Sequence, residues 1–182
     1  MTMHTIVLLA LPAEAPDLAD QPNVFFTGVG KVNAAIVTSK LISEHQPARV
    51  INFGTAGGIT VQSGLHSCTR FVQRDMNCQA LGFAPGVTPF ESVTEIAISN
   101  QGLVCATGDS FVTGEPLLVA ADLVDMEAYA MAKACQYHNV EFLCWKYISD
   151  QADQAAHNDW NNQVSAGQSH YIQKLKQLNL IR

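Results

Sequence analysis

The sequence predicts an α/β protein: one central sheet covered by helices on both faces, three layers in all. Two patterns carry that expectation. Short apolar runs of strand length alternate along the chain with segments of helical periodicity. The runs are apolar almost throughout, as in strands buried on both faces, instead of alternating with polar residues. A third observation concerns ligands, which gather at the carboxyl ends of the strands in such sheets. Several of the runs are followed at once by glycines or polar residues.

Residues 5–11 form the first strand, cut off by Pro12, and residues 24–27 the second. Residues 31–45 place Val32, Ala35, Ile36 and Ile42 at the spacing of a helix with one core face. Residues 49–53 are a strand that leads into a glycine-rich turn, 54–59. Further strands are expected at 65–72 and 93–98. Between them lies an apolar, irregular stretch rich in Gly and Pro, 81–90, suited to an interface or a pocket lid. Residues 103–107 are a strand closed by Gly108 and Asp109. A helix at 127–137, a strand at 142–148 and a final amphipathic helix at 160–178 complete the series. With no repeat, linker or low-complexity tract, the 182 residues suit a single domain over 1–182.

Composition narrows the partners. A hydrophobic content of 48% against 14% charged residues marks an ordered globular chain. The net charge of −6, with Lys and Arg scattered, argues against a nucleic-acid surface. The first apolar run is too short to span a bilayer and lacks a basic flank, so no membrane role is expected. Five cysteines with no C-x-x-C spacing read as free thiols in a reducing, cytoplasmic setting. His4, His45, His66, His138, His157 and His170 form no i,i+4 pair, and no metal site is expected.

The polar residues after the strands offer chemistry, each with a plainer alternative. The loop T-G-V-G-K-V-N lies between a strand and a helix, where phosphate-gripping loops lie. Yet G-x-G-x-x-G fails at Asn33, and Val32 stands where a P-loop has Ser or Thr; a tight turn explains the glycines as well. Asp150 follows an apolar run, so partial desolvation would favour its protonated form, as a general acid at neutral pH requires. It would equally serve as a helix N-cap, and position alone leaves both readings open. Glu127 opens a helix whose dipole stabilises a carboxylate, with or without a further duty. Glu14, just past Pro12, reads by itself as a solvated loop residue.

Taken together, these stretches resemble the 5′-methylthioadenosine/S-adenosylhomocysteine nucleosidases of the wider purine nucleoside phosphorylase superfamily. The resemblance rests on ALPAEAP, TGVGKVNAA, INFGTAGG, ATGDSFV and, most strongly, residues 124–153, which carry M-E-A and S-D-x-x-D in order. It implies a central mixed, twisted sheet flanked by helices, a homodimer, a small purine nucleoside as substrate and no cofactor. By position it implies that Asp150 protonates N7 of the purine, supported by Ser149, and that Glu14 takes a proton from the attacking water. Glu127 would hold the ribose hydroxyls, with Met126 packed under the sugar and Thr55 touching the sugar or the nucleophile. Phe111 would stack on the base, and the backbone at Val112 would read its edge. Trp160 falls near an aromatic that covers the 5′ substituent, and it also suits a helix residue packed into the core.

The same resemblance separates water from phosphate as nucleophile. Phosphorylases grip phosphate with arginine, whose fork matches it. Where they place one before the glycine-rich turn, this chain has Asn52, and its first loop reads Pro12-Ala13-Glu14. A carboxylate there suits water, so hydrolysis is expected, with phosphorolysis open if Lys31, Lys146 or a partner subunit supplies charge. A catalytically weak nucleoside-binding protein is the third reading, although a binder needs no water-activating base. Two departures from many bacterial members stand out: Asp125 replaces Glu, and Lys146 replaces Arg. The chain is also shorter than typical members, with a hairpin between the first strands and much of the segment after Phe90 expected to be missing.

Overall fold

A computed structural model describes residues 4–181. Its strands are β1 Thr5–Leu9, β2 Val24–Phe26, β3 Arg49–Gly58, β4 Leu65–Gln73, β5 Ile96–Ala97, β6 Leu103–Thr107, β7 Leu123–Asp125 and β8 Glu141–Asp150. Its α-helices are α1 Lys31–His45, α2 Ala128–His138, α3 Ala156–Gln163 and α4 Gln168–Gln177. Two single 3-10 turns, Pro12–Glu14 and Pro16–Leu18, join β1 to β2, with no hairpin between them.

The sheet is mixed, as expected. β2, β1 and β3 are parallel neighbours, and β3 continues parallel to β8. β8 pairs antiparallel with β4, β4 parallel with β6, and β6 parallel with β7. β7 then returns to the end of β3, antiparallel at Gly57–Val124 and Gly58–Leu123. Five strands thus close a ring of pairings, with β1 and β2 extending from one side and β5 added at the edge of β4.

The period-two alternation of strand side chains sorts the core into two layers. Ile6, Leu8, Val50, Phe142 and Cys144 join residues of α1 and α2 in one cluster. Val7, Leu9, Ile51 and Phe53 face the other way, onto Tyr171 and Leu175 of α4. Phe53 and Tyr171 stack there with ring centroids 5.0 Å apart.

Several expectations are revised. Residues 54–58 are not a turn but the second half of β3; none of Gly54, Gly57 and Gly58 has a positive φ, and the segment pairs with β8 and β7. Their missing side chains serve close approach from neighbouring strands. Helix α1 has the expected bounds but another core face: Ala34, Thr38, Leu41 and Ile42 are buried, whereas Val32 and Ile36 are 68% and 62% exposed. The strand expected at 93–98 shrinks to two residues, and β7, three residues long, carried too little periodicity to be seen. β8 runs to Asp150 itself, and Glu127 precedes α2 as its N-cap instead of belonging to its first turn.

The expected final helix is two helices. Between them lies Gly167, where a Cβ would stand 2.4 Å from Tyr171 Oη and 2.8 Å from Tyr147 Cβ. Tyr171 is fully buried, so nothing there gives way cheaply. Gly167→Ala is expected to lower stability by about 1–3 kcal/mol through overpacking. Urea denaturation checks this, and an unchanged midpoint would refute it.

Candidate active site

A cavity of about 300 Å³ opens where the carboxyl ends of β1, β3, β6, β7 and β8 converge. That size suits a small organic ligand. Nine of the ten residues expected at a site line it: Glu14, Thr55, Phe111, Val112, Met126, Glu127, Ser149, Asp150 and Trp160. The tenth, Lys146, lies behind the wall.

Glu14 is no solvated loop residue. It is buried, and its carboxylate accepts from four donors. Oε2 takes the amides of Ala10 and Leu11, each at 3.0 Å, which turns the chain sharply after β1. Oε1 takes the amide of Thr55 at 2.8 Å and its hydroxyl at 3.0 Å. Trp160 donates its indole N–H to the same hydroxyl at 3.1 Å, so Trp160 faces the cavity and orients Thr55. Gly54 permits this packing: a Cβ there would meet Lys146 Nζ at 3.1 Å and Glu14 Oε1 at 3.2 Å.

Asp150 does not cap a helix, since α3 starts six residues later. It ends β8 just past a bulge: Ala56 pairs with Ile148, but Gly57 with Asp150, which leaves Ser149 as the extra residue. Bulges of this kind re-aim side chains beside active sites. Ser149 Oγ donates to Asp150 Oδ2 at 2.9 Å, and the amide of Ala152 donates to Oδ1 at 2.9 Å. Burial pushes the Asp150 carboxyl above its ordinary range; these two bonds oppose the shift, and Asp159 and Asp153 add to it.

Glu127 is also buried, with Oε1 accepting the amide of Gly30 at 2.9 Å. Burial, then the neighbouring Asp125 carboxylate, push its carboxyl up to about 7, against the pull of Lys146 and the Gly30 amide. The T-G-V-G-K loop thereby contributes a backbone N–H to a carboxylate.

Behind this wall Lys146 Nζ lies 2.9 Å from Asp125 Oδ2, both side chains shielded from solvent. Burial alone would raise the Asp125 carboxyl, but Lys146, the Thr107 hydroxyl and the Ala128 amide outweigh it and hold it low. Burial would depress Lys146; Asp125, followed by other neighbours, holds it well above its ordinary value instead. The two departures from many bacterial members therefore face each other.

Sequence reading missed Arg74, Ser110, Val29 and His157 in the lining, and treated Asp125 only as a departure. Arg74 carried a usable signal, since it directly follows β4, but that strand had been taken to end at Val72. Its fork is committed: Nη1 donates to Ser110 Oγ at 3.0 Å, and Nη2 to the carbonyls of Gly108, at 3.0 Å, and Ser110. Lys31 Nζ is likewise engaged, by Asp75 Oδ1 at 2.5 Å and Gln73 Oε1 at 3.3 Å. Asn52 turns its amide onto the carbonyls of Leu8 and Phe53. None of the residues 81–90 lines this cavity. No cluster of metal-ligating side chains occurs among the described residues, and no described helix is long and apolar enough to cross a membrane.

Comparisons with known proteins bear on the family and the fold. A family model described as "Phosphorylase superfamily" matches residues 17–181. The curated 5′-methylthioadenosine/S-adenosylhomocysteine nucleosidase of Glaesserella parasuis is 30% identical over 158 residues, 72% of this chain and 68% of the relative. That of Actinobacillus succinogenes is 35% identical over 156 residues, 70% of this chain and 66% of the relative. The chain thus spans about two thirds of the length of these relatives. Among solved structures, a Helicobacter pylori nucleosidase variant with 5′-methylthioadenosine in its active site superposes with a TM-score of 0.87 at 20% identity, covering 98% of each chain. Native futalosine hydrolase of Helicobacter pylori gives 0.88 at 21% identity, covering 98% of this chain and 97% of its own. These structural likenesses establish the fold.

The raised Glu127 carboxyl makes stability depend on pH. Between its ordinary 4.5 and about 7, the unfolded chain ionises this group while the folded protein keeps it protonated. The unfolded state therefore binds fewer protons, and stability falls as pH rises across that window, then levels off. Glu127→Gln removes the contribution. Unfolding free energies at pH 5 and pH 8 are expected to show the wild type losing stability relative to this variant; parallel curves would refute the assignment.

Proposed function

We propose that this chain, which belongs to the phosphorylase superfamily, is a methylthioadenosine/S-adenosylhomocysteine nucleosidase-like purine nucleosidase that hydrolyses the N-glycosidic bond, with Asp150 as its acid and Glu14 as its base. The observation that carries the assignment is the contrast between two carboxyl groups on one cavity. Asp150 is pushed toward its protonated form by burial, while Glu14 accepts from four donors and donates to none. A carboxyl that holds its proton suits the acid, and one fixed in place by four hydrogen bonds suits the role of a positioned acceptor.

Asp150 gives its proton to N7 of the purine, so the electron pair of the breaking C1′–N bond leaves on a neutral base. The sugar develops oxocarbenium character, favoured by negative charge nearby. Glu127, held by the Gly30 amide, binds the ribose hydroxyls over Met126. Glu14 takes a proton from water as its oxygen bonds to C1′. Of the four donors on Glu14, the Thr55 hydroxyl alone is free to rotate, so it yields a lone pair to the incoming water. Phe111 stacks on the base, Val112 offers its backbone, and Trp160 stands toward the 5′ substituent. The substrate we propose is methylthioadenosine, adenosylhomocysteine or a close purine nucleoside. The commitment of Arg74, Lys31 and Lys146 to protein partners supports water over phosphate as the nucleophile.

Free base is expected from methylthioadenosine at equal rates with and without phosphate. Asp150→Asn and Glu14→Gln are each expected to lower kcat by about 10²- to 10⁴-fold with an unchanged fold by circular dichroism. Strict phosphate dependence would make the protein a phosphorylase, ligand binding without turnover a binder, and a wild-type rate for Asp150→Asn would refute the acid.

We further propose a homodimer in the cytoplasm, with residues 1–182 acting as one domain. Val29, Val32 and Ile36 form an exposed apolar row beside the cavity mouth, which supports a partner there. Five cysteines without a disulfide support a reducing compartment, and pairing of strands from both ends of the chain supports one domain. Sedimentation is expected to give a dimer for the wild type and a monomer for Ile36→Asp; a monomeric wild type refutes the dimer.

A further inference from the structure

The segment after β6, residues 108–122, carries Phe111 and Val112 yet contains no helix or strand. Its shape cannot come from a repeating backbone ladder. The question is what holds it.

The first three residues are gripped from one place, the end of β4. The amide of Arg74 donates to Thr107 O at 2.9 Å, which brings the ends of β4 and β6 together. From there the Arg74 fork spans the loop: Gly108 O, Ser110 Oγ and Ser110 O all accept from its two terminal nitrogens. Asp75 takes the opposite side, accepting the amide of Asp109 at 2.8 Å. Asp75 and Asp109 both reach Lys31 at the start of α1, where Asp109 Oδ1 accepts the Lys31 amide at 2.7 Å. Gly108 makes the fork possible, since a Cβ there would stand 2.8 Å from Arg74 Cζ.

Two further facts set Arg74 apart from an ordinary surface arginine. It is only 9% exposed, and its Nε is buried with no hydrogen-bond partner among the described residues. A buried donor left unpaired is costly, so its presence calls for an explanation. The guanidinium donates here to neutral loop atoms, not to a carboxylate, although such a carboxylate pairing is the usual way to bury it.

We propose that Arg74 is a positioning residue for base recognition: its planar fork sets the 108–112 loop so that Phe111 and the Val112 backbone meet the purine. The inference rests on the hydrolase reading, and nothing in the sugar or water chemistry involves Arg74. Its loss therefore weakens recognition of the base selectively. Lysine, a point charge without the fork, does not replace it.

The test uses Arg74→Met, Arg74→Lys and Ser110→Ala. Steady-state kinetics with methylthioadenosine are combined with inhibition constants for adenine (the base alone) and methylthioribose (the sugar alone). For Arg74→Met, KM and the adenine constant are expected to rise on the order of tenfold or more, with the methylthioribose constant unchanged. Arg74→Lys is expected to resemble it. Ser110→Ala gives a smaller shift of the same kind and adds nothing on top of Arg74→Met, because it removes an acceptor of the same fork. Amide hydrogen exchange over 108–112 in ligand-free protein is expected to speed up in Arg74→Met. Adenine and methylthioribose constants that rise together, or a lower melting temperature with unchanged KM, would make Arg74 merely structural and overturn the proposal. A wild type that neither cleaves methylthioadenosine nor binds adenine would sink the hydrolase reading instead; the exchange measurement then decides the loop assignment alone, with unchanged exchange refuting it.

Discussion

The buried pair of Lys146 and Asp125 is the interaction around which the site is assembled. Removing two charges from water costs several kcal/mol each unless their remaining bonding capacity is filled. Here it is filled on the Asp125 side: one oxygen takes the Thr107 hydroxyl, the other takes Lys146 and the amides of Glu127 and Ala128. One carboxylate thus ties β8 to β7, β7 to β6, and all three to the first turn of α2. It caps that helix from three residues before its first residue, which leaves Glu127 itself free to face the cavity.

The acidic groups around the cavity show how one chemical type is given different work. Asp125 is held ionised by a buried cation, Glu127 is pushed up to about 7 by its own burial and then by the Asp125 charge, and Asp150 is raised by burial against only two donors. Glu14 sits among four donors, two of them from its own turn. Neighbours decide each case, and the carboxyl group itself decides none.

Much of this was legible in the sequence, because apolar runs and helical spacing report burial directly. The layered α/β sheet and the bounds of α1 carried local signals, whereas most residues around the cavity were reached only through the family resemblance. The misses are those in which tertiary contact overrides local pattern. Gly54 to Gly58 read as a turn because glycine breaks strands in general, yet here its missing side chain admits Glu14, Lys146 and Asp150 against the backbone. Val32 and Ile36 read as core because they are apolar, but the helix is rotated to bury Ala34 and Leu41. Arg74 was passed over because its partners lie more than thirty residues away, at Gly108 and Ser110.

The second half of β3 has a metric consequence. A Cβ at Gly54 would touch Glu14, and one at Gly57 would touch Asp150. Both groups are therefore referenced to the same strand, three residues apart, which at the rise of an extended chain is about 10 Å. The spacing of the two glycines belongs to the backbone, so ligand binding cannot easily compress it. The strand acts as a gauge laid along the floor of the cavity. With Asp150 as the proposed acid and Glu14 as the proposed base, a molecule is processed only if its proton-accepting nitrogen and its electrophilic carbon fall correctly between the two marks, which makes selectivity partly a matter of length. Recalibrating such a gauge takes an inserted or deleted residue in β3, a change that point substitution does not supply.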